Sequence, residues 1–228
     1  MKKENKVKLL TTIENLIFFG RNEDAISLVK IALSEGVKPI FLVESVINSL
    51  DYKHEELPET LLQTRTALTI LAHVLLQIEE KKIVEGNVLI GAVKDDLHNI
   101  GITIATGLLS KIGLKVIDLG VDVQKDEFIL QCEKQNADIV IVTCNVQRAL
   151  FNAKTIIEDI KINFGDKVKI ITAGEAFTPK SSWKLGADFF CENPLLVANE
   201  CIKIIKEQKL KQIASVLKKH LRTKGFSD

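Results

Sequence analysis

The residues of this chain best suited to chemistry are Asp96-Leu97-His98-Asn99-Ile100-Gly101. They follow the short apolar run Val88–Val93 and lead into a helical pattern, which predicts a strand ending in a loop at the carboxyl edge of a sheet. Open α/β sheets hold their ligands at that edge. Because Asp96 stands two residues before His98, its carboxylate can hold one ring nitrogen while the other binds a metal. Gly101 has no side chain, so a bulky group can approach the start of the helix.

The chain after residue 86 alternates between apolar runs of strand type and helical patterns. The strand runs are rich in Val and Ile with little alternation, as in parallel strands covered on both faces. This alternation predicts an α/β domain with a flavodoxin/Rossmann-like five-stranded parallel sheet in the order 2-1-3-4-5. The predicted strands are Val88–Val93, Lys115–Leu119, Asp138–Thr143, Lys169–Ala173 and Asp188–Cys191, and the predicted helices are Ile100–Ile112, Lys125–Gln135, Ala149–Asn163, Pro179–Leu185 and Leu195–Leu221.

The N-terminal part of the chain contains no convincing strand, and its apolar positions recur at helical steps of three and four. Asn22 is suited to capping a second helix, and Pro39 to opening a third. Pro58 opens a long fourth helix, so this part is predicted to be a four-helix bundle. A charged stretch then marks the change of period, which gives a helical domain at 1–83 and an α/β domain at 84–228.

Charge and composition exclude some classes of partner. The 228 residues include 31 Lys and Arg against 30 Asp and Glu. This balance gives no electrostatic reason to expect binding to nucleic acid or to an anionic membrane. Basic residues near the C-terminus alternate with apolar ones at helical spacing, which predicts the solvated face of a terminal helix. With no apolar signal core and no apolar run of about 18 residues, neither a membrane span nor export is expected, and the predicted location is cytoplasmic.

Several residues are predicted to serve the interior only. The four cysteines have no metal-type spacing, so they are interpreted as small buried hydrophobes of a reducing compartment. They are Cys132, Cys144, Cys191 and Cys201. Trp183 is predicted to pack a helix onto the sheet.

Three loops leave the predicted ligand edge near the point where the strand order reverses, and any function of the domain should be built from them. They are Lys94–Asn99, Thr143–Arg148 and Gly174–Thr178. A phospho-receiver would need an Asp after the third strand and a Lys after the fifth, where this chain has Thr143-Cys144-Asn145 and Cys191-Glu192-Asn193. A flavodoxin would need a Ser/Thr/Gly-rich phosphate loop after the first strand, where this chain has carboxylates.

The stretch Gly91–Gly101 closely resembles the signature loop of the cobalamin-binding domain, in which Asp-x-His-x-x-Gly supplies the lower axial ligand of the corrinoid cobalt. Val116–Val123, Ala137–Val140 and Gly186–Asp188 also resemble that family. A four-helix segment directly before such a domain looks like the corrinoid proteins of methyltransferase systems, which are similar to the cobalamin module of methionine synthase. The resemblance covers nearly the whole chain, and it implies that the helical domain is cap-like. The family has a longer loop where this chain has the short polar segment Ser49–Glu56, so a plain packing bundle stays open as the alternative.

The resemblance implies a corrinoid whose own base is displaced from cobalt and whose nucleotide tail lies in the crevice beside the sheet. His98 would be the axial metal ligand, and Asp96 would hold its tautomer and tune its basicity. His98 must release and rebind as the cobalt changes state, and proton uptake on the His–Asp pair would accompany that release. The implied cofactor-binding residues are Asp96, Leu97, His98, Asn99, Ile100, Gly101, Thr143, Asn145, Ala173, Gly174 and Glu175, with no catalytic residue.

The chain departs from the family pattern around this site. Asn145 stands where the family has an apolar residue, so an amide would replace an apolar wall. A hydroxyl residue that often extends the His–Asp relay is Ala149 here. The family's Gly-Gly after the fourth strand is Ala173-Gly174, and the methyl group narrows the tail channel. Glu175 follows in place of a small residue, so a negative charge would lie near the tail phosphate unless it points away or pairs with Arg148.

The resemblance favours a corrinoid protein that carries a methyl group between two separate methyltransferase partners. In that role the cobalt does the chemistry and the protein sets its ligation. The alternatives left open are a corrinoid-binding sensor or storage module, a degenerate relative that no longer binds cobalamin, and an unrelated small-molecule binder. The methyl donor, the methyl acceptor and the oligomeric state do not follow from the sequence.

Overall fold

The computed structural model describes residues 3–49, 58–77 and 83–223. Its elements in chain order are α1 (Lys3–Phe18), α2 (Asn22–Ser34), α3 (Pro39–Ser49), α4 (Pro58–Gln77), β1 (Asn87–Ala92), α5 (Ile100–Lys111), β2 (Lys115–Asp118), α6 (Lys125–Lys134), β3 (Ile139–Thr143), α7 (Leu150–Phe164), β4 (Lys169–Ala173), α8 (Pro179–Lys184), β5 (Phe189–Cys191) and α9 (Pro194–Thr223). The chain divides into two compact units, Met1–Glu80 and Lys81–Asp228.

The first unit is helical, as the three- and four-residue apolar spacing predicts. Its four helices bury one another's apolar stripes: Ile13 and Ile17 of α1, Val29 of α2, Val46 of α3 and Val74 of α4 are essentially inaccessible to solvent. Tertiary burial of such stripes supplies most of the stability of short helices. Of the polar segment Ser49–Glu56, only Ser49, the last residue of α3, is among the described residues, and the cap-like role of this unit remains a prediction.

The second unit contains a sheet of five strands in the order β2-β1-β3-β4-β5, and every pair is parallel. The predicted fold class and strand order are therefore confirmed. The order reverses between β1 and β3, so the loops after these strands open at the same point of the carboxyl edge. Strands this apolar need cover on both faces, and helices supply it.

The two faces of the sheet are covered by different helices. One face carries Leu89 and Val142, which pack in a cluster with side chains of α6 and α7. The other face is covered by α5 and α9. Because strand side chains alternate, this second face receives Ala92, Thr143 and Ala173, which are register partners on β1, β3 and β4. A row of small side chains thus lies at the carboxyl end of three neighbouring strands.

The opposite edge of the sheet is closed by an ion-pair network around Asp188. Its Oδ2 accepts hydrogen bonds from Lys161 Nζ at 2.7 Å and from the Ile170 N–H at 2.8 Å, and its Oδ1 accepts one from Lys169 Nζ at 3.3 Å. Burial by itself would raise the pKa of Asp188. The hydrogen bonds from Lys161 and Ile170 and the two lysine charges outweigh burial, so this pKa lies below its ordinary value. Asp166 also contacts Lys169, at 3.3 Å.

Removing the Asp188 charge is expected to make the protein less stable in a pH-dependent way. A carboxylate whose folded pKa is depressed stabilises the fold above its unfolded pKa, here 3.8, and loses that contribution as the pH falls through the folded pKa. Asp188→Asn should therefore lower the free energy of unfolding by about 2 kcal/mol at neutral pH. Denaturant titrations at a series of pH values should show the difference from wild type shrinking below the unfolded pKa.

Asp166→Asn is the matched control, because this carboxylate is 96% exposed. Its effect should stay within about 0.5 kcal/mol. A deficit of Asp188→Asn that is constant down to strongly acidic pH would contradict the assignment.

Three predictions about individual side chains are also decided by the fold. All four cysteines are buried, as predicted. The described lysines of α9, including Lys203 and Lys209, are exposed, as predicted for a solvated face.

The prediction for Trp183 is wrong, because its side chain is 67% exposed on the outer face of the short helix α8. The neighbouring Ser182 is buried instead, and its hydroxyl is hydrogen-bonded to Thr172 of the sheet. None of the described helices is long and apolar enough to cross a membrane.

Candidate functional site

The loops after β1, β3 and β4 meet at the carboxyl edge and are joined by backbone hydrogen bonds. The Val93 N–H donates to the Thr143 carbonyl at 3.1 Å, and the Cys144 N–H donates to the Ala173 carbonyl at 3.0 Å. The Ala176 N–H then reaches back to the Cys144 carbonyl at 3.1 Å. The three loops therefore form one connected rim on the sheet.

His98 is held by Asp96 in this rim. Oδ1 of Asp96 contacts Nδ1 of His98 within hydrogen-bonding distance and also accepts a hydrogen bond from the His98 backbone N–H at 3.1 Å. An ionised carboxylate can only accept hydrogen bonds, so with Asp96 ionised the donor in this contact is the Nδ1–H of His98. The Asp96 side chain is fully buried, whereas the His98 ring is 30% exposed. The pair thus joins an anchored carboxylate to a ring that reaches solvent.

The second oxygen of Asp96 is held from the β3 loop. Asp96 Oδ2 accepts hydrogen bonds from the Asn145 backbone N–H at 2.6 Å and from Asn145 Nδ2 at 3.3 Å. Asn145 Oδ1 in turn accepts one from the Glu175 N–H of the β4 loop at 3.2 Å. A buried carboxylate is costly unless hydrogen bonds satisfy it, and these donors meet that requirement.

The β1 loop is fixed from its outer side by two further residues. Asp95 adopts a left-handed conformation with φ of 68°, and its N–H donates to Asp122 Oδ1 at 2.8 Å. The Asp122 N–H donates to the Asp96 carbonyl at 2.9 Å. Asn152 of α7 donates from Nδ2 to the Lys94 carbonyl at 2.9 Å. These bonds fix the backbone that presents Asp96 and His98.

At Gly174 the backbone of the β4 loop lies directly against the backbone of the β3 loop. This residue has φ of +106°, and a Cβ there would lie 2.4 Å from the Cys144 carbonyl oxygen. The residue must be glycine for the β3 and β4 loops to touch. At Gly101, by contrast, a Cβ would meet no atom within 4 Å, so the first turn of α5 borders open space.

The thiol of Cys144 lies within the rim but is not a reactive group. Burial raises the pKa of this thiol to about 12, and the thiol contacts the Val146 carbonyl at 3.3 Å. The thiolate is the nucleophilic and metal-binding form of cysteine. Cys144 is therefore protonated at neutral pH and takes the role of a small interior side chain.

The structure brings most of the predicted binding residues to this rim, with different environments. Leu97 is 72% exposed and Ile100 is buried at the start of α5. The Asn99 carbonyl accepts a hydrogen bond from the hydroxyl of Thr103 at 3.1 Å. The Thr143 hydroxyl donates to the Gly91 carbonyl at 3.2 Å.

Glu175 is exposed, and among the described residues no ion pair joins it to Arg148. The sequence predicts a negative charge near the tail phosphate unless the Glu175 carboxylate points away or pairs with Arg148. The pairing with Arg148 is not present among the described residues.

Sequence reasoning missed three bracing residues: Asn145 as a donor to Asp96, Asp122, and Asn152. Asp122 and Asn152 lie 27 and 57 residues from Asp95 in the chain, and no local pattern connects them. The polar Asn145 at a position where the resembled family is apolar was the only available signal.

Comparison with known families defines the class of the second unit. The profile of the B12 binding domain matches residues 86–194. This range begins just before β1 and ends at the start of α9, so it contains the whole sheet and the rim. The class is therefore an α/β protein with a B12-binding domain.

The curated relatives that match are corrinoid proteins. "Dimethylamine corrinoid protein" of Methanosarcina barkeri is 33% identical over 123 residues, which is 54% of this chain and 56% of that protein. "Dimethylamine corrinoid protein 3" of Methanosarcina mazei is 32% identical over 54% of this chain and 71% of its own length. "Trimethylamine corrinoid protein 2" of the same organism is 26% identical over 88% of this chain and 96% of that protein. This chain belongs to the corrinoid protein family, and its cofactor is a corrinoid.

Solved structures agree on the fold. The Methanosarcina barkeri monomethylamine corrinoid protein superposes with a TM-score of 0.73 at 20% identity, over 86% of this chain and 98% of that chain. A methanol:cobalamin methyltransferase complex from the same organism gives a TM-score of 0.51 at 21% identity, over 87% of this chain and 80% of that chain.

The residues of the rim fit a corrinoid. The described residues contain no group of three or more His, Cys, Asp or Glu side chains that could hold a bare metal ion. A single anchored imidazole suits a metal that arrives with equatorial ligands from its own macrocycle. A Cβ at Gly101 would meet no atom within 4 Å, so the first turn of α5 leaves a large flat ligand free to approach beside His98.

Proposed function

We propose that this chain is a methyl carrier that serves separate methyltransferase proteins, with the corrinoid cobalt held by His98 after displacement of the cofactor's own base. The single observation that carries the proposal is the contact between His98 and the buried Asp96 at the reversal point of the sheet. Asp96 engages Nδ1, so His98 would bind cobalt through Nε2. Ligating histidines commonly donate their other ring N–H to a carboxylate in this way.

Each part of the rim has a task in this proposal. Asp96 fixes the His98 tautomer and orients the ring toward the ligand. Leu97, exposed beside it, and Gly101 would lie against the macrocycle, and the small side chains of Thr143 and Ala173 would flank the tail. When bound, the corrinoid supplies a cobalt centre that accepts and gives up a methyl group, which is chemistry that protein side chains do not provide.

We propose that the partners are methyltransferases that act on small methylated compounds. The relatives with the matches given above are named for dimethylamine and trimethylamine, and one structural neighbour is titled as a methanol:cobalamin methyltransferase complex. Methylamines are therefore the first donors to test. Assays with candidate partner enzymes separate the carrier from a sensor or storage module, because only the carrier turns over.

The ligation is tested directly with the purified full-length chain and hydroxocobalamin. After removal of excess cofactor, a coloured protein is expected. Reduction to the Co(II) state should then give an electron paramagnetic resonance spectrum with nitrogen superhyperfine splitting. Labelling the protein with ¹⁵N-histidine should change each triplet to a doublet, because ¹⁴N has a nuclear spin of 1 and ¹⁵N has a nuclear spin of one half. A colourless protein at micromolar cofactor, or a splitting indifferent to the label, would refute the proposal.

The charge of Glu175 is expected to oppose binding of the phosphate-bearing tail. Its backbone is tied into the rim, its side chain is exposed, and no ion pair with Arg148 compensates it among the described residues. Glu175→Gln should tighten hydroxocobalamin binding by about threefold at low salt, and less at high salt because exposed charges are screened. Equilibrium titration measures both values. Cobinamide, which lacks the nucleotide, is the matched ligand and should bind both proteins equally; unchanged or weaker cobalamin binding would contradict the prediction.

A further inference from the structure

The side-chain amide of Asn145 occupies a defined position between two loops. Its Oδ1 accepts a hydrogen bond from the Glu175 N–H, so the amide orientation is fixed by a backbone donor. The same orientation turns Nδ2 toward Asp96 Oδ2, at 3.3 Å. Asn145 therefore joins the β4 loop to the carboxylate that holds His98, through one planar group.

Two other side chains of the β3 loop region do not donate a hydrogen bond to Asp96. Ala149 is fully buried and offers no hydroxyl. The Thr143 hydroxyl is used by the Gly91 carbonyl. Among the described contacts, the only side chains that donate to Asp96 are His98 and Asn145. The Asn145 amide is thus the side-chain group, besides the His98 ring, that donates to this carboxylate.

We propose that Asn145 is a positioning residue that sets the orientation of the Asp96 carboxylate, and through it the His98 ring, from the loop beside the cofactor tail. This inference rests on the proposed ligation by His98. Asp96 Oδ2 is anchored by both donors of Asn145, the N–H and Nδ2, while Oδ1 faces the ring. Loss of Nδ2 leaves the carboxylate held at that oxygen by the backbone alone, so the plane of the carboxylate and the ring that follows it become less well fixed.

Two variants separate the two bonds of the amide. Asn145→Leu removes both and restores an apolar residue of similar size. Asn145→Asp keeps an oxygen for the Glu175 N–H but replaces the Nδ2 donor with an acceptor that repels the Asp96 carboxylate, so its effect should be at least as large as that of Asn145→Leu. Gln147→Leu is the matched control, because Gln147 Nε2 also braces the β4 loop, through the Ala176 carbonyl at 3.1 Å, without touching Asp96.

The first measurement uses the protein without cofactor. ¹⁵N shifts of the His98 ring report which nitrogen carries the proton. Wild type and Gln147→Leu should show one dominant form protonated at Nδ1, whereas both Asn145 variants should show a mixture. A single unchanged form in both Asn145 variants would overturn the inference, whatever the outcome with cobalamin.

The second measurement uses cobalamin. Both Asn145 variants should bind hydroxocobalamin more weakly, by up to about tenfold, because Asn145 acts on His98 only through Asp96, and loss of that outer-shell partner costs at least this much. They should also lose part of the ¹⁵N-histidine splitting. Asn145→Asp behaving as wild type, or Gln147→Leu losing as much as Asn145→Leu, would reduce Asn145 to a loop brace. Absence of the ¹⁵N effect in wild type would instead refute the ligation, and the ring shifts would still decide the role of Asn145.

Discussion

His98→Ala is expected to abolish the ¹⁵N-histidine splitting and to weaken hydroxocobalamin binding by on the order of 100-fold. Outer-shell partners of metal ligands already contribute 10- to 100-fold, and the ligand itself should contribute at least the upper value. The fold should survive, because the ring is 30% exposed and Asp96 Oδ1 keeps the hydrogen bond from the backbone N–H of residue 98. Equilibrium titration in visible light, with circular dichroism as a check on folding, measures the effect.

The controls for His98→Ala distinguish ligation from loss of any histidine. His220→Ala, in the last turns of α9, should bind as wild type does. Asp96→Asn should weaken binding by about tenfold and leave a reduced splitting, because the ring remains without its fixed tautomer. Wild-type affinity in His98→Ala would refute ligation by this residue and would favour a corrinoid bound without a histidine ligand.

Gly174→Ala is expected to have the largest effect on stability. The residue has φ of +106°, and its Cβ would lie 2.4 Å from the Cys144 carbonyl oxygen and 3.0 Å from Asn145 Oδ1. Backbone strain and overpacking together should lower the free energy of unfolding by about 3 kcal/mol. This corresponds to a fall in Tm of about 9 °C for a protein of this size. Cobalamin binding should fall as well, because relief of the clash moves Asn145.

Gly120→Ala is the matched control for backbone conformation. Gly120 has φ of +79°, but a Cβ there meets no atom within 4 Å. Its cost should be the conformational one alone, about 1 kcal/mol. Equal melting temperatures for the two variants would show that the contact between the β3 and β4 loops yields easily, and would contradict a rigid rim.

The sheet could be predicted because its signals are local. The predicted Val88–Val93 differs from the observed β1 by one residue at each end, and the predicted Asp138–Thr143 differs from β3 by one residue at its start. The order 2-1-3-4-5 is one of the common orders of doubly wound sheets, and the rules of connection and handedness are compatible with it. The β2 prediction was one residue too long, because the chain turns at Leu119-Gly120, where Gly120 has a positive φ.

The site was predictable only where its residues are neighbours in the chain. Asp96 and His98 are two residues apart, so their contact follows from the sequence. Asn145 lies 49 residues from Asp96, and its amide was interpreted as an altered wall of the tail crevice. Only the register of β1 on β3 places the two side by side. Trp183 was misjudged for a related reason, since large apolar residues are often but not always interior.

The sequence by itself determined the two-part architecture, the strand order and the presence of an imidazole with a carboxylate partner at a sheet edge. Each of these depends on residue type and short-range spacing. The tertiary structure alone decided which groups hold the carboxylate, why position 174 must be glycine and where the charge of Glu175 lies. These depend on backbone segments that meet only when separate strands pair. Hydrogen bonds between residues so far apart in the sequence produce no periodic pattern of residue types.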